Sequence, residues 1–274
     1  MRYFKKLIAT PLIVVIVLWV TSCKKDITPA QNTDPSAGVV SLIKNDNGSI
    51  PGRYVFFQFD QFPDHFDTST SINIKVFGKF TDNSSGAIVS AGSIIINDSL
   101  AITSGTDNLY EYKFDLAGIP RGKAIMGSYI DLQVTGSNAI DSLRRKLYIP
   151  KQIFLYNLYN SILTISNNKS YNFSWNADLQ NMFGKVLIQV SYESRLSLYS
   201  NPRNPASVPG LSYIVGDNGN FVLPAADLKR FPGSSYISIR VSRASDNIWP
   251  TGSSPIEYIA VSSAFTSPIL VQNE

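Results

Sequence analysis

The pattern of this chain predicts an all-β fold of two tandem antiparallel sandwiches, and three observations carry the expectation. Short runs of alternating apolar and polar residues recur along its length, turn residues punctuate the gaps, and no long helical pattern intervenes. Aromatic residues make up 12% of the chain and charged residues only 16%, a balance that suits strands better than helices.

In the first half the runs are Val39 to Ile43, Tyr54 to Phe59, Ile72 to Phe80, Ile88 to Ile96, Leu109 to Phe114, Tyr129 to Val134 and Leu143 to Ile149. Between them, Asn45-Asp46-Asn47-Gly48, Asp82-Asn83-Ser84-Ser85-Gly86 and Ser104-Gly105-Thr106-Asp107 read as hairpin connections, because Gly and Asn accept positive φ. Six or seven strands at this spacing, over residues 38–149, suit one immunoglobulin-like sandwich. Pro150 interrupts sheet pairing and sets the expected boundary to a second domain over residues 150–274.

The second half opens with Ile153 to Leu163. Tyr171-Asn172-Phe173-Ser174-Trp175-Asn176 then puts three aromatic rings on one face, with Trp175 as a packed core residue. Lys185 to Tyr192, Phe221 to Leu228 and, after Phe231-Pro232-Gly233, Tyr236 to Val241 continue the pattern. From Thr164 to Val271 this order resembles fibronectin type III domains, which place a core tryptophan on the second strand and a proline-glycine corner before a tyrosine-led strand. It departs from that family at Ser197 to Leu211, where Asn201-Pro202-Arg203-Asn204-Pro205 makes a long loop.

The beginning of the chain has a different character. Arg2, Lys5 and Lys6 precede an apolar run from Pro11 to Val20 that closes in Val20-Thr21-Ser22-Cys23. A basic start, an apolar stretch short of the roughly twenty residues a membrane span needs, and small residues at its end mark residues 1–22 as a secretion signal. The alternative is an uncleaved signal anchor, against which stand the interruptions at Thr10, Pro11, Thr21 and Ser22. Residues 20 to 23 resemble the lipobox of bacterial lipoproteins. That resemblance implies diacylglycerol on the Cys23 thiol, cleavage before it, and an N-acyl group on the new terminus. Cys23 is the only cysteine, so no internal disulfide competes for it.

Residues 24–38 contain Pro, Ser, Asn and Asp without periodicity and read as a tether with a reach of about 20 Å. The Cys-Lys-Lys-Asp start is similar to lipoproteins of the Bacteroidota, which implies an outer-membrane location, on either its periplasmic or its outer face. An ordinary solvated linker would read the same way.

Charge excludes one class of partner. Removing Arg2, Lys5 and Lys6 with the leader takes the formal charge from +4 to +1, so the pI near 9.0 is a property of the signal and no dense basic face for nucleic acid remains. Chemistry is constrained as firmly. With His65 the only histidine and Cys23 lipidated, multi-His or multi-Cys zinc sites and Cys-His nucleophiles are excluded, and neither a phosphate loop nor a Gly-x-Ser-x-Gly elbow occurs. The chain therefore reads as a non-enzyme.

Two weaker candidates remain. Asp60, Asp64 and Asp67, with His65 among them, form a polar cluster that reads as a solvated turn and, less strongly, as a Ca²⁺ site. Tyr199, Arg203, Tyr213 and Trp249, on the loops Tyr199 to Tyr213 and Asn247 to Gly252, supply rigid aromatic area and a guanidinium suited to a glycan or an envelope protein. The function this favours is a lipid-anchored binding or assembly module of the cell envelope. The alternatives are a structural, fimbrial-type subunit joined by strand addition and a glycan-acting enzyme using carboxylates alone.

Overall fold

The computed structural model describes residues 52–63, 70–115, 117–156, 163–182, 184–193, 210–250 and 255–273. The leader, Cys23, the tether, the expected strand Val39 to Ile43, and Asp64, His65, Asp67, Tyr199 and Arg203 lie outside them.

The chain is mostly β. In order it forms β1 (Tyr54–Pro63), β2 (Thr70–Lys79), β3 (Ser93–Ile96), β4 (Leu100–Thr103), β5 (Tyr110–Lys113), α1 (Ile119–Ile125), β6 (Tyr129–Val134), β7 (Leu143–Tyr148), β8 (Leu155–Tyr156), β9 (Leu163–Ser166), β10 (Tyr171–Trp175), β11 (Lys185–Tyr192), β12 (Leu211–Gly216), β13 (Asn220–Leu223), the helical turn α2 (Ala225–Leu228), β14 (Ser235–Trp249), β15 (Ile256–Phe265) and β16 (Ile269–Gln272). The expected hairpin turn after β2 is held by Asp82, whose carboxylate accepts the Ser84 N–H at 2.8 Å, with Gly86 at φ +67° closing it.

Strands from both sides of Pro150 share one sheet, in place of two separate sheets. Its order is β12-β11-β14-β15-β1-β2-β5, with β16 on the other end of β14 and β9 beside β16. It is also not purely antiparallel: β1 runs parallel to β15 from Tyr54 opposite Glu257 to Gln61 opposite Ala264, and β9 runs parallel to β16. The cause is β14, whose 15 residues span about 50 Å at 3.3 Å per residue. Its first half pairs β11 and β16, its second half pairs β15, and β15 brings in β1 from the start of the domain.

Both smaller sheets cover the same face of this large one. Val55, Phe57, Phe59, Ile74 and Val76 on β1 and β2 share a core with Ile94, Ile102, Ile130, Leu132 and Leu147 of the four-stranded sheet β4-β3-β6-β7. Gly122 in α1 has no side chain to hold the helix off Ile74 of β2. A second core joins Val186, Ile188, Ile239 and Val241 to Phe173, Trp175 and Leu155 of the three-stranded sheet β13-β10-β8. Registers place Val186, Arg243, Ser262, Phe59 and Ile74 in one row, so the two cores lie side by side with Arg243 and Ser262 between them. The opposite face carries a smaller cluster of Phe56, Leu187, Ala244, Ile259 and Val261.

Candidate functional site

The densest buried polar network fills the seam between the two cores, and it follows from the alternation of β14. Along the covered face the strand reads Ile237, Ile239, Val241, Arg243, Ser245, apolar until it reaches the seam and polar within it. Arg243 is fully buried. Its Nε donates to Asp217 Oδ2 at 2.5 Å and its Nη2 to Asp217 Oδ1 at 2.9 Å, a two-pronged pairing that holds both charges out of water. Trp175 Nε1 donates to the same Asp217 Oδ1 at 2.9 Å. Asp217 reaches this position from the turn between β12 and β13, where Gly219 at φ +87° lies so close that a Cβ there would stand 2.9 Å from the Trp175 carbonyl oxygen.

The remaining donors of Arg243 hold the segment that crosses the seam. Nη1 donates to the Lys151 carbonyl at 3.0 Å and Nη2 to the Asn176 carbonyl at 2.6 Å. Just after Pro150, side chains in place of a strand ladder take the N–H groups of Lys151, Ile153 and Phe154. Asp178 Oδ2 accepts the Lys151 N–H at 2.8 Å, Ser262 Oγ the Ile153 N–H at 3.1 Å, and Asn176 Oδ1 the Phe154 N–H at 2.6 Å. Asn176 Nδ2 donates to the Gln152 carbonyl at 2.8 Å, and the Ser245 hydroxyl to the Tyr148 carbonyl at 3.2 Å. The Tyr148 hydroxyl donates to Asp178 Oδ1 at 2.8 Å; burial and this carboxylate raise the phenol well above its ordinary range and keep it protonated.

Such an arrangement is a clasp. Asp217 is neutralised by Arg243, and the polar atoms of the seam are spent on one another and on the connecting backbone. Sequence reasoning missed Arg243 and Asp217. The usable signal was an arginine on the face of β14 that otherwise carries Ile237, Ile239 and Val241.

The residues singled out from the sequence lie elsewhere. Tyr213 is on β12 opposite Ile188, within a strand where a loop was expected. Its hydroxyl donates to Asp227 Oδ2 at 2.7 Å and its ring lies 4.9 Å from that of Phe221, so it is a half-buried core margin. Trp249 ends β14 opposite Ile256, again in a strand. It lies eight residues beyond Val241, which shares a row with Ile188 and Tyr213, so about 26 Å of strand separates the two positions. The structure does not bring Tyr213 and Trp249 together.

Asp60 is likewise in a strand and not in a turn. It lies on the far face of the large sheet opposite Ser263 and Asn73, buried, with Gln58 Nε2 donating to it at 2.5 Å and the Arg240 guanidinium 3.9 Å away as an ion-pair partner. Arg240 also donates to Ser263 Oγ at 3.1 Å and stands over the Phe265 ring, 5.0 Å from its centre. Among the described residues no group of three or more Asp, Glu, His or Cys is placed to hold a metal ion, and no helix is long and apolar enough to cross a membrane.

No family model and no curated protein matches this chain. Among solved structures, similarity extends to the yeast delta-COP-I mu-homology domain, with 9% identity over 83% of this chain and all of that one at a TM-score of 0.30. It extends also to trypsin-activated alpha-2-macroglobulin from Escherichia coli, with 12% identity over 81% of this chain and 16% of that one at a TM-score of 0.21. Overall agreement this low carries no argument about fold or function.

Proposed function

We propose that this protein is a lipid-anchored module of the bacterial cell envelope that binds or assembles with a glycan or protein partner at the outer membrane. The observation that carries the reading is the start of the chain: a basic segment, an apolar run, and Val20-Thr21-Ser22-Cys23 ending in the sole cysteine. A diacylglycerol and an N-acyl chain on Cys23 supply enough buried methylene, at about 0.8 kcal/mol each, for lasting attachment. The described body suits the far end of a tether, since the seam clasps two cores into one unit able to present surfaces at a fixed separation. The finer reading of those cores as immunoglobulin-like and fibronectin type III-like is supported by Trp175 and Phe173 within the second; the shared sheet makes them a fused pair.

The test is the fate of Cys23. Mass spectrometry of the membrane fraction should find it as the acylated amino terminus, and Cys23→Ala should release or mislocalise the protein. An unmodified thiol or a retained leader in the mature protein overturns the reading. Added protease on intact cells then separates outer-face display from the periplasmic face.

A further inference from the structure

In the loop joining β10 to β11, the described residues 176–182 turn two polar side chains inward and two large apolar ones outward. Asp178 is 1% exposed and Asn181 4%, whereas Leu179 is 91% exposed and Met182 99%. Isolated exposed apolar residues are ordinary, but a loop that buries Asp178 and Asn181 while Leu179 and Met182, with Gln180 between them, stand in water is not. Hydrogen bonds enforce the inversion. Asp178 accepts from the Tyr148 hydroxyl, the Lys151 N–H and, at 3.2 Å, the Gln180 N–H. Asn181 Nδ2 donates to the Ala244 carbonyl at 2.9 Å, its N–H to the Asp178 carbonyl at 3.2 Å, and its own carbonyl accepts the Gly184 N–H at 2.9 Å. Rolling Leu179 and Met182 inward would strip these buried groups of their partners, so the two side chains stay in water.

Their surroundings are mostly aromatic and cationic, the one exposed acid among the described residues there being Asp131 on β6, opposite Lys146. The Tyr148 ring, anchored to Asp178, lies 5.3 Å from Tyr129, which is 57% exposed, and Lys146 Nζ stands 5.7 Å from the Tyr129 ring centre. Lys151, whose N–H Asp178 holds, is exposed, as is Lys185 at the far end of the loop. The loop's only carboxylate is the buried Asp178.

From this geometry we propose that the stretch Asp178 to Met182 is a membrane-contact surface, with Leu179 and Met182 entering the headgroup and acyl boundary of an anionic bilayer, Tyr129 at headgroup level, and Lys146, Lys151 and Lys185 over lipid phosphates. Apolar tip, amphipathic aromatic and cationic flank are the three things such a boundary selects, and no exposed acid on the loop opposes the phosphates. Two side chains are a weak anchor alone. The inference rests on the lipid-anchor reading for its strength, because a short tether from Cys23 raises the effective concentration of bilayer at the loop and turns a weak partition into a stable pose.

The full chain is reconstituted in vesicles of phosphatidylethanolamine and phosphatidylglycerol, carrying an environment-sensitive fluorophore on Met182→Cys or, as control, on Thr103→Cys. Thr103 is exposed on β4, at the edge of its sheet opposite β7. The label at 182 should show blue-shifted emission and strong quenching by nitroxide-bearing lipid, neither of which the label at 103 should show. Adding Leu179→Asp, or omitting phosphatidylglycerol, should reduce both effects; Leu179→Asp alters a side chain that makes almost no contact with the rest of the fold. Equal, weak quenching at 182 and 103 overturns the membrane-contact surface and leaves the loop to a protein partner. Mass spectrometry of Cys23 in the same vesicles reports on the anchor separately. Should Cys23 prove unacylated, its label is common to both variants and the difference between 182 and 103 still decides the loop.

Discussion

Arg243 and Asp217 meet as a two-pronged ion pair, 2.5 and 2.9 Å between donor and acceptor atoms, with neither side chain reaching water. A pair of this kind is costly to break from one side, because the remaining charge stays buried without a counter-charge. Arg243→Met should therefore destabilise the fold by about 3–5 kcal/mol. It removes the hold on the Lys151 and Asn176 carbonyls as well. Urea unfolding of variant and parent measures the loss; a loss of unfolding free energy below about 1 kcal/mol would mean that the seam is wet and the pair weak.

Trp175→Phe separates packing from the polar clasp. Phenylalanine keeps most of the ring area in the second core but removes the donor to Asp217, a hydrogen bond to a charged group worth about 1.5–3 kcal/mol. Asp217 retains Arg243, so the loss should be smaller than for Arg243→Met. In a Trp175→Phe, Arg243→Met double variant the two losses should fail to add, since both act through one carboxylate.

The two cores should not survive separation. A chain ending at Ile149 lacks β14 and β15, and with them Ile256, Tyr258 and Ala260 of the first core and the parallel partner of β1. Such a fragment is expected to unfold without a cooperative transition, while the whole protein shows a single one by calorimetry. A fragment of residues 38–149 that melts cooperatively would contradict this and restore two independent domains.

Alternation made much of this fold legible and also set its blind spots. β6 and β11 have the bounds the sequence predicts; β6 has one face in a core and one toward solvent, and on β11 Val186, Ile188 and Val190 enter the second core while Lys185 and Ser191 stay exposed. β15 went unread. Ile256-Glu257-Tyr258-Ile259-Ala260-Val261-Ser262-Ser263-Ala264 is buried at every position, so no contrast between faces remains in the sequence. The end of β14 looked like a loop because Asp246 and Asn247 lead into Pro250-Thr251-Gly252, and before it Arg243 and Ser245 are polar because they contact segments far away. Ser262 serves Ile153 across 109 residues, and Ser245 serves Tyr148 across 97. Local pattern carries no trace of such pairs. β12 was taken for loop because Pro202, Pro205 and Pro209 precede it, and α1 was missed because it has only seven residues, with a proline in its first turn. The clasp was hidden for the same reason as β14: its members come from β10, the 216–219 turn and β14, and only the sheet brings them together.

The last prediction concerns alkaline pH and begins from Tyr148. Its phenol is held above the ordinary range first by burial and then by the hydrogen bond to Asp178, and burial raises Tyr258 and Tyr213 in the same direction, Tyr213 with help from Asp227. In the unfolded chain each of these tyrosines ionises near pH 10. Below that value both states hold the proton and the contribution to stability is complete. Above it the unfolded state sheds protons that the native state retains, so unfolding becomes easier with each step in pH until the folded groups also ionise. Stability should therefore be flat in these groups through neutral pH and fall steeply from about pH 10. Tyr148→Phe should shallow that fall by the share of one proton, at the cost of a lower stability at pH 7 where Asp178 loses a donor. Urea midpoints of parent and variant between pH 8 and 11.5 supply the comparison. If the two curves run parallel above pH 10, the Tyr148 phenol ionises alike in both states and its hydrogen bond to Asp178 does not hold the proton.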